Sequence, residues 1–525
     1  MDSAPFDANY TVKVWERLRA AGSRDAVVDG SRRISGTEAA DMILRFAGAL
    51  RETGLEEGDG VALFAKNSAE ALLLAPAVHY AGFRLVFVPP EPGDSELEEL
   101  VRRADVKALL FDPVFDERVR KITDRTGIPQ ILGIGASSVA PDFLGIASAH
   151  TDHSPGDAAD GRHIATLLYT GGTTGHPKLV THRSRFYTAL SRNPEDWFHN
   201  SADPKLLIST LVTHSSGHIS GLLGLLTSHT IVLLRDFDAG DVLSTMQTER
   251  VTAMMTVTPM LYELLDHPSC VSGRCPALST LYYTGASAAP ARLHQAMERF
   301  GRVLYQIYGA TETGLVSMLT AAEHDLALPG LLTSCGRPAA GVETELRDEK
   351  GDPIPVGEPG ELYVRSRTVM EGYWEDAENT AEVLNDEGWF RSGDLARQDA
   401  RGYLYIVDRV RDVIVTGRAA SNVYSRLLDD FLVSLPEIRD AATIGLPDDD
   451  GKECVHVVMV PEDPARLPDL DELTRRITER LGPLYTPVSY TFTGALPLTA
   501  VGKTDKKALR AALLTTERKS CPQSL

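Results

Sequence analysis

Apolar and polar residues alternate along the first part of the chain in a pattern that predicts α/β layering. Thr37 to Leu50 repeats apolar residues at helical spacing, whereas Val61 to Ala65, Leu85 to Val88 and Ala108 to Phe111 are short continuous apolar runs. Helices that alternate with buried strands are typical of parallel sheets covered on both faces. A loose connection, residues 136–162, ends this first block.

A second block repeats the same alternation. Its strand-like runs are Leu206 to Leu211, Thr230 to Leu234, Thr252 to Thr258 and Leu278 to Thr284. Its helix-like runs are Asp241 to Arg250, Pro259 to Leu265 and Pro290 to Phe300. The two blocks predict two related α/β layers that pack together.

The pattern of apolar and polar residues changes in the last two hundred residues. Short alternating segments with glycine-rich turns, Cys335 to Phe390, predict a small β subdomain. After Arg409 the pattern is that of a separate α+β unit, with an amphipathic helix from Leu470 to Leu481 and a disordered tail after Leu513. We therefore predict an α/β protein with a large N-terminal domain, residues 1–409, and a small mobile C-terminal domain, residues 410–525.

Charge and composition limit the classes of partner and the compartment that we expect. The 525 residues carry a formal charge of −20, which repels nucleic acid and anionic lipid. The N-terminus lacks the pattern of a signal peptide, and the most apolar interval, Ile219 to Leu234, is too short and polar to span a bilayer. Five scattered cysteines form no metal-binding spacing and suit a reducing compartment. We expect a cytoplasmic protein with neither a nucleic-acid nor a membrane partner.

A loop of glycine and threonine follows an apolar run, Ile164 to Leu168. Its backbone N–H groups, hydroxyls and terminal ammonium suit a polyphosphate, although many glycine-rich loops are ordinary surface turns. Pro177 is incompatible with the phosphate loop of the common nucleotide hydrolases. The candidate phosphate-binding residues are Thr170, Gly171, Gly172, Thr173, Thr174, Gly175 and Lys178.

Two further constellations suit a nucleotide. At a strand end, Tyr308 and Gly309 precede Thr311 and Glu312, an order that offers an aromatic face, a hydroxyl and a carboxylate for Mg²⁺, or simply a strand end with a helix cap. Downstream, Asp394 and Arg409 are chemically able to bind a ribose and a phosphate, while Ser-Gly-Asp is also common turn chemistry.

The glycine-rich loop resembles the phosphate-loop signature of the acyl-adenylate-forming superfamily, which includes acyl-coenzyme A synthetases, adenylation domains of peptide synthetases and firefly luciferase. The family form has Ser at Gly171 and Gly at Leu179. Tyr308 to Glu312 matches the second family signature, and Asp394 with Arg409 matches the ribose-binding one. The resemblance adds the adenine-facing backbone of Gly285, Ala286 and Ser287.

What the resemblance implies is a two-step ligase that uses ATP and Mg²⁺. It first makes acyl-AMP and pyrophosphate from a carboxylic acid, then passes the acyl group to an acceptor. Lys503, in a Pro-x-Thr-x-x-Gly-Lys setting, is the expected catalytic lysine, Glu312 the metal ligand and Arg411 the hinge. The expected acyl-pocket residues are His214, Gly217, Gly309 and Ala310. His214 is also a candidate catalytic group, although a lone histidine is more often structural.

The chain departs from the coenzyme A ligases after the hinge. Arg418 replaces a glycine, Ser425 a proline and Leu427 a glutamate, and two extra residues precede Asn422. Since this loop borders the route of the pantetheine arm in the family, a bulkier loop favours an amine acceptor over coenzyme A, which stays the alternative. A catalytically idle acyl-nucleotide binding protein is the third possibility.

The acid and the oligomeric state are less constrained by sequence. Small residues near the expected nucleotide site favour an aromatic or carbocyclic acid over a long fatty acid. A dimer is the common default.

Overall fold

The computed structural model describes residues 9–90, 92–150, 165–170, 178–192, 197–198, 201–416, 421–447, 453–498 and 504–517. The predicted glycines of the phosphate loop, Arg418 and Lys503 lie outside these ranges.

Helices and strands alternate through most of the chain. The helices are α1 (Tyr10–Ala21), α2 (Gly36–Arg51), α3 (Ala69–Tyr80), α4 (Asp94–Arg103), α5 (Asp116–Thr126), α6 (Phe143–Ala149), α7 (Ser184–Leu190), α8 (Ser215–Leu226), α9 (Ala239–Thr248), α10 (Thr258–Asp266), α11 (Pro290–Phe300), α12 (Ala377–Val383), α13 (Ser425–Val433), α14 (Leu470–Leu481) and α15 (Lys506–Glu517).

The strands are β1 (Asp25–Asp29), β2 (Arg32–Ser35), β3 (Gly60–Phe64), β4 (Arg84–Phe87), β5 (Val106–Phe111), β6 (Gln130–Gly133), β7 (Ala165–Thr170), β8 (Lys178–Arg183), β9 (Lys205–Ile208), β10 (Thr230–Leu233), β11 (Ala253–Val257), β12 (Thr280–Thr284), β13 (Leu304–Ala310), β14 (Gly314–Leu319), β15 (Arg337–Pro338), β16 (Glu343–Arg347), β17 (Gly360–Arg365), β18 (Gly372–Tyr373), β19 (Phe390–Gln398), β20 (Leu404–Arg409), β21 (Ile414–Thr416), β22 (Ser421–Val423), β23 (Ile438–Pro447), β24 (Glu453–Pro461) and β25 (Ser489–Phe492).

Two large sheets form the N-terminal part. One has the strand order β18-β8-β7-β4-β3-β5-β6 and the other β15-β14-β13-β12-β11-β9-β10-β1-β2. Their central strands are parallel, and antiparallel strands lie toward the edges. Because parallel neighbours need crossover connections, helices cover both faces of each sheet.

One apolar core joins the two sheets. It contains side chains of α2, α3 and α8 together with inward-facing residues of strands from both sheets, for example Leu63 of β3 and Ile208 of β9. Two further clusters cover the outer faces, one under α9 to α11 and one under α4 and α5. This arrangement confirms the predicted pair of packed α/β layers.

The smaller units follow along the chain. Strands β16, β17, β19 and β20 form an antiparallel sheet, which is the predicted β subdomain, extended to Arg409. The C-terminal unit contains a sheet of β22, β21, β24 and β23, with β25 paired to β24, and has its own apolar clusters. The fold is therefore the predicted large α/β domain with a smaller α+β domain, while the boundary at residues 409 and 410 stays a prediction.

One sequence pattern is not used by the fold, and one expectation is corrected. Ser95 and Glu98 have capping-box spacing, yet α4 begins at Asp94 after Gly93, which makes no side-chain cap. The chain after Leu513 is not disordered throughout, because α15 continues to Glu517 and packs Leu509, Leu513 and Leu514 against the last sheet. Within the described ranges, no helix is both long and apolar enough to cross a bilayer.

Candidate active site

The candidate residues gather at one edge of the nine-stranded sheet. Strands β9, β11, β12 and β13 are mutually parallel, so their carboxyl ends share this edge, and ligands of open α/β sheets bind at such edges. His214 follows β9, the segment from Gly285 to Ser287 follows β12, and Tyr308 lies near the end of β13.

Asp394 is the most elaborately partnered of these residues. It lies opposite Arg409 in the ladder of β19 and β20, and its Oδ1 is 2.8 Å from Arg409 Nε. The hydroxyl of Tyr308 donates to Asp394 Oδ2 at 2.5 Å. Although only 7% of this side chain is exposed, each oxygen retains a lone pair that is chemically able to accept a ribose hydroxyl.

Burial and the charges in this cluster shift the pKa values of Tyr308 and Arg409. Burial, and then the carboxylate of Asp394, raise the pKa of the Tyr308 phenol well above its usual range. Burial opposes the charge of Arg409, but Asp394 together with Tyr308, Glu312 and Asp412 outweighs burial, and the pKa of the guanidinium rises. Tyr308 thus stays a donor and Arg409 a cation at every physiological pH.

The loop after β12 presents backbone rather than side chains. Gly285 has a φ of +87°, which favours glycine, and both Gly285 and Ala286 are exposed. Thr258 Oγ1 donates to the carbonyl of Ala286 at 2.8 Å and fixes the loop from the adjacent helix α10. The loop offers an exposed backbone surface that suits a flat base.

Lys178 and Glu312 are brought together by Tyr373. The Tyr373 hydroxyl donates to Glu312 Oε1 at 3.2 Å, and the ammonium of Lys178 lies 4.7 Å from the centre of the same ring. No hydrogen bond from the described part of the chain reaches the second carboxylate oxygen of Glu312. Among the described residues, no group of three or more His, Cys, Asp or Glu side chains could hold a metal ion. A lone carboxylate can contribute one oxygen ligand to Mg²⁺ beside nucleotide phosphates, and the assignment of Glu312 to this role stays a prediction.

The phosphate-loop segment joins two antiparallel strands. Thr170 pairs with Lys178 as the last pair between β7 and β8, and the loop glycines and threonines between them are outside the described residues. On β8, His182 Nε2 lies 2.6 Å from the carbonyl oxygen of Thr311. Because burial lowers the pKa of His182 to about 4, this ring is neutral and Nε2 carries the proton donated to that carbonyl.

The predicted acyl-pocket residues lie around the start of α8. The Nδ1 atom of His214 is 3.1 Å from Ser216 Oγ and caps the helix, while Ser215 Oγ is 3.5 Å from Thr311 Oγ1. A Cβ atom at Gly217 would lie 2.0 Å from the carbonyl oxygen of Leu211. A Cβ atom at Gly309 would lie 2.0 Å from that of Gly314.

These two glycines therefore have a packing role that is independent of any acyl group. Ala310, by contrast, is exposed at the end of β13. The acyl-pocket assignment of all four residues stays a prediction.

The C-terminal segment that carries Lys503 is anchored on both sides. Leu498 and Thr504 form an isolated bridge, and the amide of Asp505 donates to the carbonyl of Pro497 at 2.8 Å. Arg411 lies in a single 3₁₀ turn, Val410–Asp412, between β20 and β21. This position is compatible with a hinge, which stays a prediction.

Three residues of this region were missed or misassigned by sequence reasoning. Lys506 has no sequence feature that distinguishes it from a solvated surface lysine, but its Nζ lies 2.7 Å from Asp429 Oδ2 and only 18% of its side chain is exposed. Tyr373 and His182 carried no recognisable signal, because their contacts join segments distant in sequence.

Comparison with known proteins identifies the family. The AMP-binding enzyme model matches residues 14–374, and the AMP-binding enzyme C-terminal domain model matches residues 428–503. The medium/long-chain-fatty-acid–CoA ligase FadD8 of Mycobacterium tuberculosis is 33% identical over 92% of this chain and 86% of that protein. The feruloyl-CoA synthase of an Amycolatopsis species is 32% identical over 94% of this chain and 97% of that protein.

Solved structures agree with this assignment. The amide bond synthetase McbA of Marinactinospora thermotolerans superposes with a TM-score of 0.86 at 32% identity, covering 96% of this chain and 99% of McbA. The relatives thus include both CoA ligases and an amide synthetase. The chain belongs to the AMP-binding enzyme family and is an AMP-forming acid ligase that uses ATP to activate an acid for transfer to coenzyme A or an amine.

Proposed function

We propose that the chain joins a ring-bearing carboxylic acid to an amine through an acyl-AMP intermediate. In the first step a carboxylate oxygen attacks the α-phosphorus of ATP and pyrophosphate leaves. In the second step the amine nitrogen attacks the acyl carbon, AMP leaves, the nitrogen loses a proton and an amide remains. The observation that carries adenylation is the buried Asp394 between Tyr308 and Arg409.

The nucleotide is assigned to residues that combine backbone N–H groups, hydroxyls and paired charges. They are Thr170, Gly171, Gly172, Thr173, Thr174, Gly175, Lys178, Gly285, Ala286, Ser287, Tyr308, Gly309, Thr311, Glu312, Asp394 and Arg409. Glu312 is the ligand that would hold Mg²⁺, which when bound offsets the negative charge of the polyphosphate. Within this set Asp394 binds the ribose and Lys178 the phosphates.

Lys503 and His214 are assigned to the chemical steps. The ammonium of Lys503 stabilises the charge that develops between the carboxylate and the α-phosphate in the first step. The imidazole of His214, at the start of α8, orients the acid and accepts the proton that the amine loses. Gly217, Gly309 and Ala310 surround the acyl group beside it.

The segment after the hinge favours an amine as the acceptor. Ser425 and Leu427 occupy positions where CoA ligases of the family have proline and glutamate, and Leu427 is 40% exposed. The loss of that glutamate removes a charge, and Arg418 with two extra residues adds bulk, in the segment that borders the pantetheine route in CoA ligases of the family. An amine needs no such route, and McbA, with its similar structure, is an amide bond synthetase.

Ring-bearing acids are supported by the relatives in part. Feruloyl-CoA synthase, 2-succinylbenzoate–CoA ligase and indoleacetate–CoA ligase are named for acids with rings, and each is similar to this chain over more than nine-tenths of its length. FadD8, which is named for fatty acids, supports the opposite choice. The small residue Ala310, exposed at the end of β13, favours a flat acid beside the nucleotide.

The deciding experiment is pyrophosphate release from Mg-ATP across a panel of aryl, cyclic and fatty acids. Coenzyme A or a pool of amines is then added, and the products are identified by mass. Amide as the main product supports the proposal, and acyl-coenzyme A as the main product makes the chain a CoA ligase. ATP binding without pyrophosphate release for any acid would favour an idle nucleotide-binding protein.

The CoA ligase is the second candidate because FadD8 and feruloyl-CoA synthase, both CoA-dependent by name, are similar along nearly the whole chain. In that case the altered loop has no influence on the acceptor.

A further inference from the structure

A carboxylate before the hinge caps a helix after it. Asp408 is the penultimate residue of β20 and is 3% exposed. Its Oδ2 accepts from Ser425 Oγ at 2.9 Å and from the amide of Arg426 at 3.4 Å, at the first turn of α13. Since α13 has neither a side-chain cap from Tyr424 nor an acidic residue in its first turn, Asp408 supplies the negative charge that a helix N-terminus favours.

Lys506 extends this contact to the last helix. Its Nζ donates to Ser425 Oγ and to Asp429 Oδ2, each at 2.7 Å. Burial raises the pKa of Asp429 to about 6 against the influence of Lys506, and the neighbouring carboxylates raise the pKa of Lys506 despite its burial. Asp408, Ser425, Lys506 and Asp429, here called the hinge cluster, therefore form one hydrogen-bonded group in which Asp408 and Ser425 are buried and Lys506 and Asp429 are half-buried.

The hinge cluster spans the turn that contains Arg411. Asp408 precedes Val410–Asp412, whereas the other three members follow it. A rotation of the C-terminal domain about Arg411 would separate Ser425 and Arg426 from Asp408. It would break both hydrogen bonds to a carboxylate that is buried in this orientation, and losing them is unfavourable. The Ser425 hydroxyl makes the shorter of the two contacts from α13 to Asp408, and the proline found at this position in CoA ligases has no such group.

We propose that Asp408 and Ser425 are positioning residues that hold the C-terminal domain in the orientation seen here. Because Lys506 begins α15 three positions after Lys503, the hinge cluster also fixes the base of the segment that carries the catalytic lysine. The half-reaction that uses this orientation is favoured, and the other requires the cluster to open. This inference rests on the proposed function for the existence of two half-reactions.

The test compares Ser425→Ala and Asp408→Asn with the wild type and with Ser434→Ala. Ser434 follows the last residue of the same helix and is exposed. Of the residues that the structure describes, its hydroxyl donates only to the carbonyl of Phe431, within the same turn. The first readout is limited trypsin digestion of the full chain, scored by cleavage after Arg409 or Arg411. We expect cleavage to be about 5-fold faster in the two cluster variants and unchanged in Ser434→Ala, because a released hinge opens more often.

The second readout is the ratio of the two half-reactions. ATP–pyrophosphate exchange measures adenylation, and transfer from supplied acyl-AMP measures the second step. We expect the ratio to change about 5-fold or more in each cluster variant, with Ser425→Thr, which keeps the hydroxyl, close to the wild type.

Unchanged cleavage in both cluster variants, or an equal loss in both half-reactions, would overturn the proposal. Trypsin digestion needs no substrate, so faster cleavage in a protein that adenylates no acid would leave the hinge cluster supported and reject the proposed function alone.

Discussion

The hydroxyl of Tyr308 donates to Asp394 at 2.5 Å across the gap between the nine-stranded sheet and the β subdomain. The contact joins residues 86 positions apart in sequence and orients the Asp394 carboxylate, whose other oxygen is paired with Arg409. The nucleoside end of the site is thus assembled from two structural units, and its geometry depends on how they pack.

Asp394→Asn is expected to raise the dissociation constant of ATP about 10- to 100-fold, because a charge-assisted pair and a ribose acceptor are lost together. Isothermal calorimetry measures the change. Tyr308→Phe should have a smaller effect since Arg409 still holds the carboxylate, and the exposed Asp386→Asn is the matched control. Unaltered ATP binding in Asp394→Asn would remove this residue from the nucleotide site.

Tyr373 has two separable contacts. Tyr373→Phe deletes the hydroxyl that donates to Glu312 but keeps the ring beneath Lys178, and we expect the magnesium concentration for half-maximal ATP binding to rise about 3- to 10-fold. Tyr373→Leu should weaken ATP about 2- to 5-fold further by removing the cation–π contact. Calorimetric titration of ATP at several Mg²⁺ concentrations measures both effects, with Tyr363→Phe in the β subdomain as the control.

Equal behaviour of Tyr373→Phe and Tyr373→Leu would mean that the ring contributes nothing to Lys178.

Lys503→Ala should lower adenylation by about 100-fold or more while transfer from supplied acyl-AMP stays within about 3-fold, because the charge is needed only while the acyl-phosphate bond forms. Pyrophosphate exchange and single-turnover amide formation measure the two steps. Lys507→Ala, in the first turn of α15, is the control. If both steps fell together, Lys503 would have a different role.

Arg418→Gly restores the glycine of the CoA ligases. If the bulkier loop excludes pantetheine, this variant should form acyl-coenzyme A faster than the wild type, with unchanged adenylation. Product mass spectrometry with coenzyme A as the acceptor measures the rate, and Arg466→Gly in an exposed turn is the control. A rate equal to that of the wild type would leave the amine assignment to the product analysis alone.

Acid should destabilise the protein through buried histidines. Burial lowers the pKa of His79 and His182 to about 4 and that of His218 to about 3, so the folded state keeps these rings neutral. A lowered folded pKa means that the stabilisation is complete above the ordinary value of 6.5 and is lost as the pH falls toward 4. We expect each ring to cost about 1–2 kcal/mol of unfolding free energy between pH 7 and 5.

His218→Leu tests this expectation. Its loss of unfolding free energy between pH 7 and 5, measured by urea denaturation, should be about 1–2 kcal/mol smaller than in the wild type. The exposed His294→Gln should follow the wild type. Parallel pH profiles for all three proteins would contradict the assignment of a neutral buried ring.

Sequence reasoning succeeded where local pattern determines structure. The amphipathic spacing of Leu470–Leu481 and the run Pro290–Phe300 gave these helices with their observed ends. The adenylate-forming activity could be predicted from the sequence because the residues expected to carry it lie in contiguous motifs at strand ends, such as Tyr308 to Glu312.

Sequence patterns did not predict features that depend on contacts between segments distant in sequence. Lys506 looks like any surface lysine until Asp429 and Ser425, from another helix, surround it. Ser95 and Glu98 satisfy a capping pattern that the observed helix start at Asp94 does not use. Tyr373 is connected to Glu312 only through the pairing of β18 with β8, which no local pattern encodes.

The pairing of β1 with β10 has a consequence for synthesis on the ribosome. Val27 pairs with Ile231, and the hydroxyl of Thr230 donates to the carbonyl of Asp25, 205 positions earlier. The first strand to leave the ribosome, β1, therefore cannot pair with β10 until about two hundred more residues have been translated. Translation proceeds at about 5–20 residues per second. For roughly 10 to 40 seconds β1 and β2 exist as a hairpin without its sheet, a marginal structure whose free edge invites wrong partners.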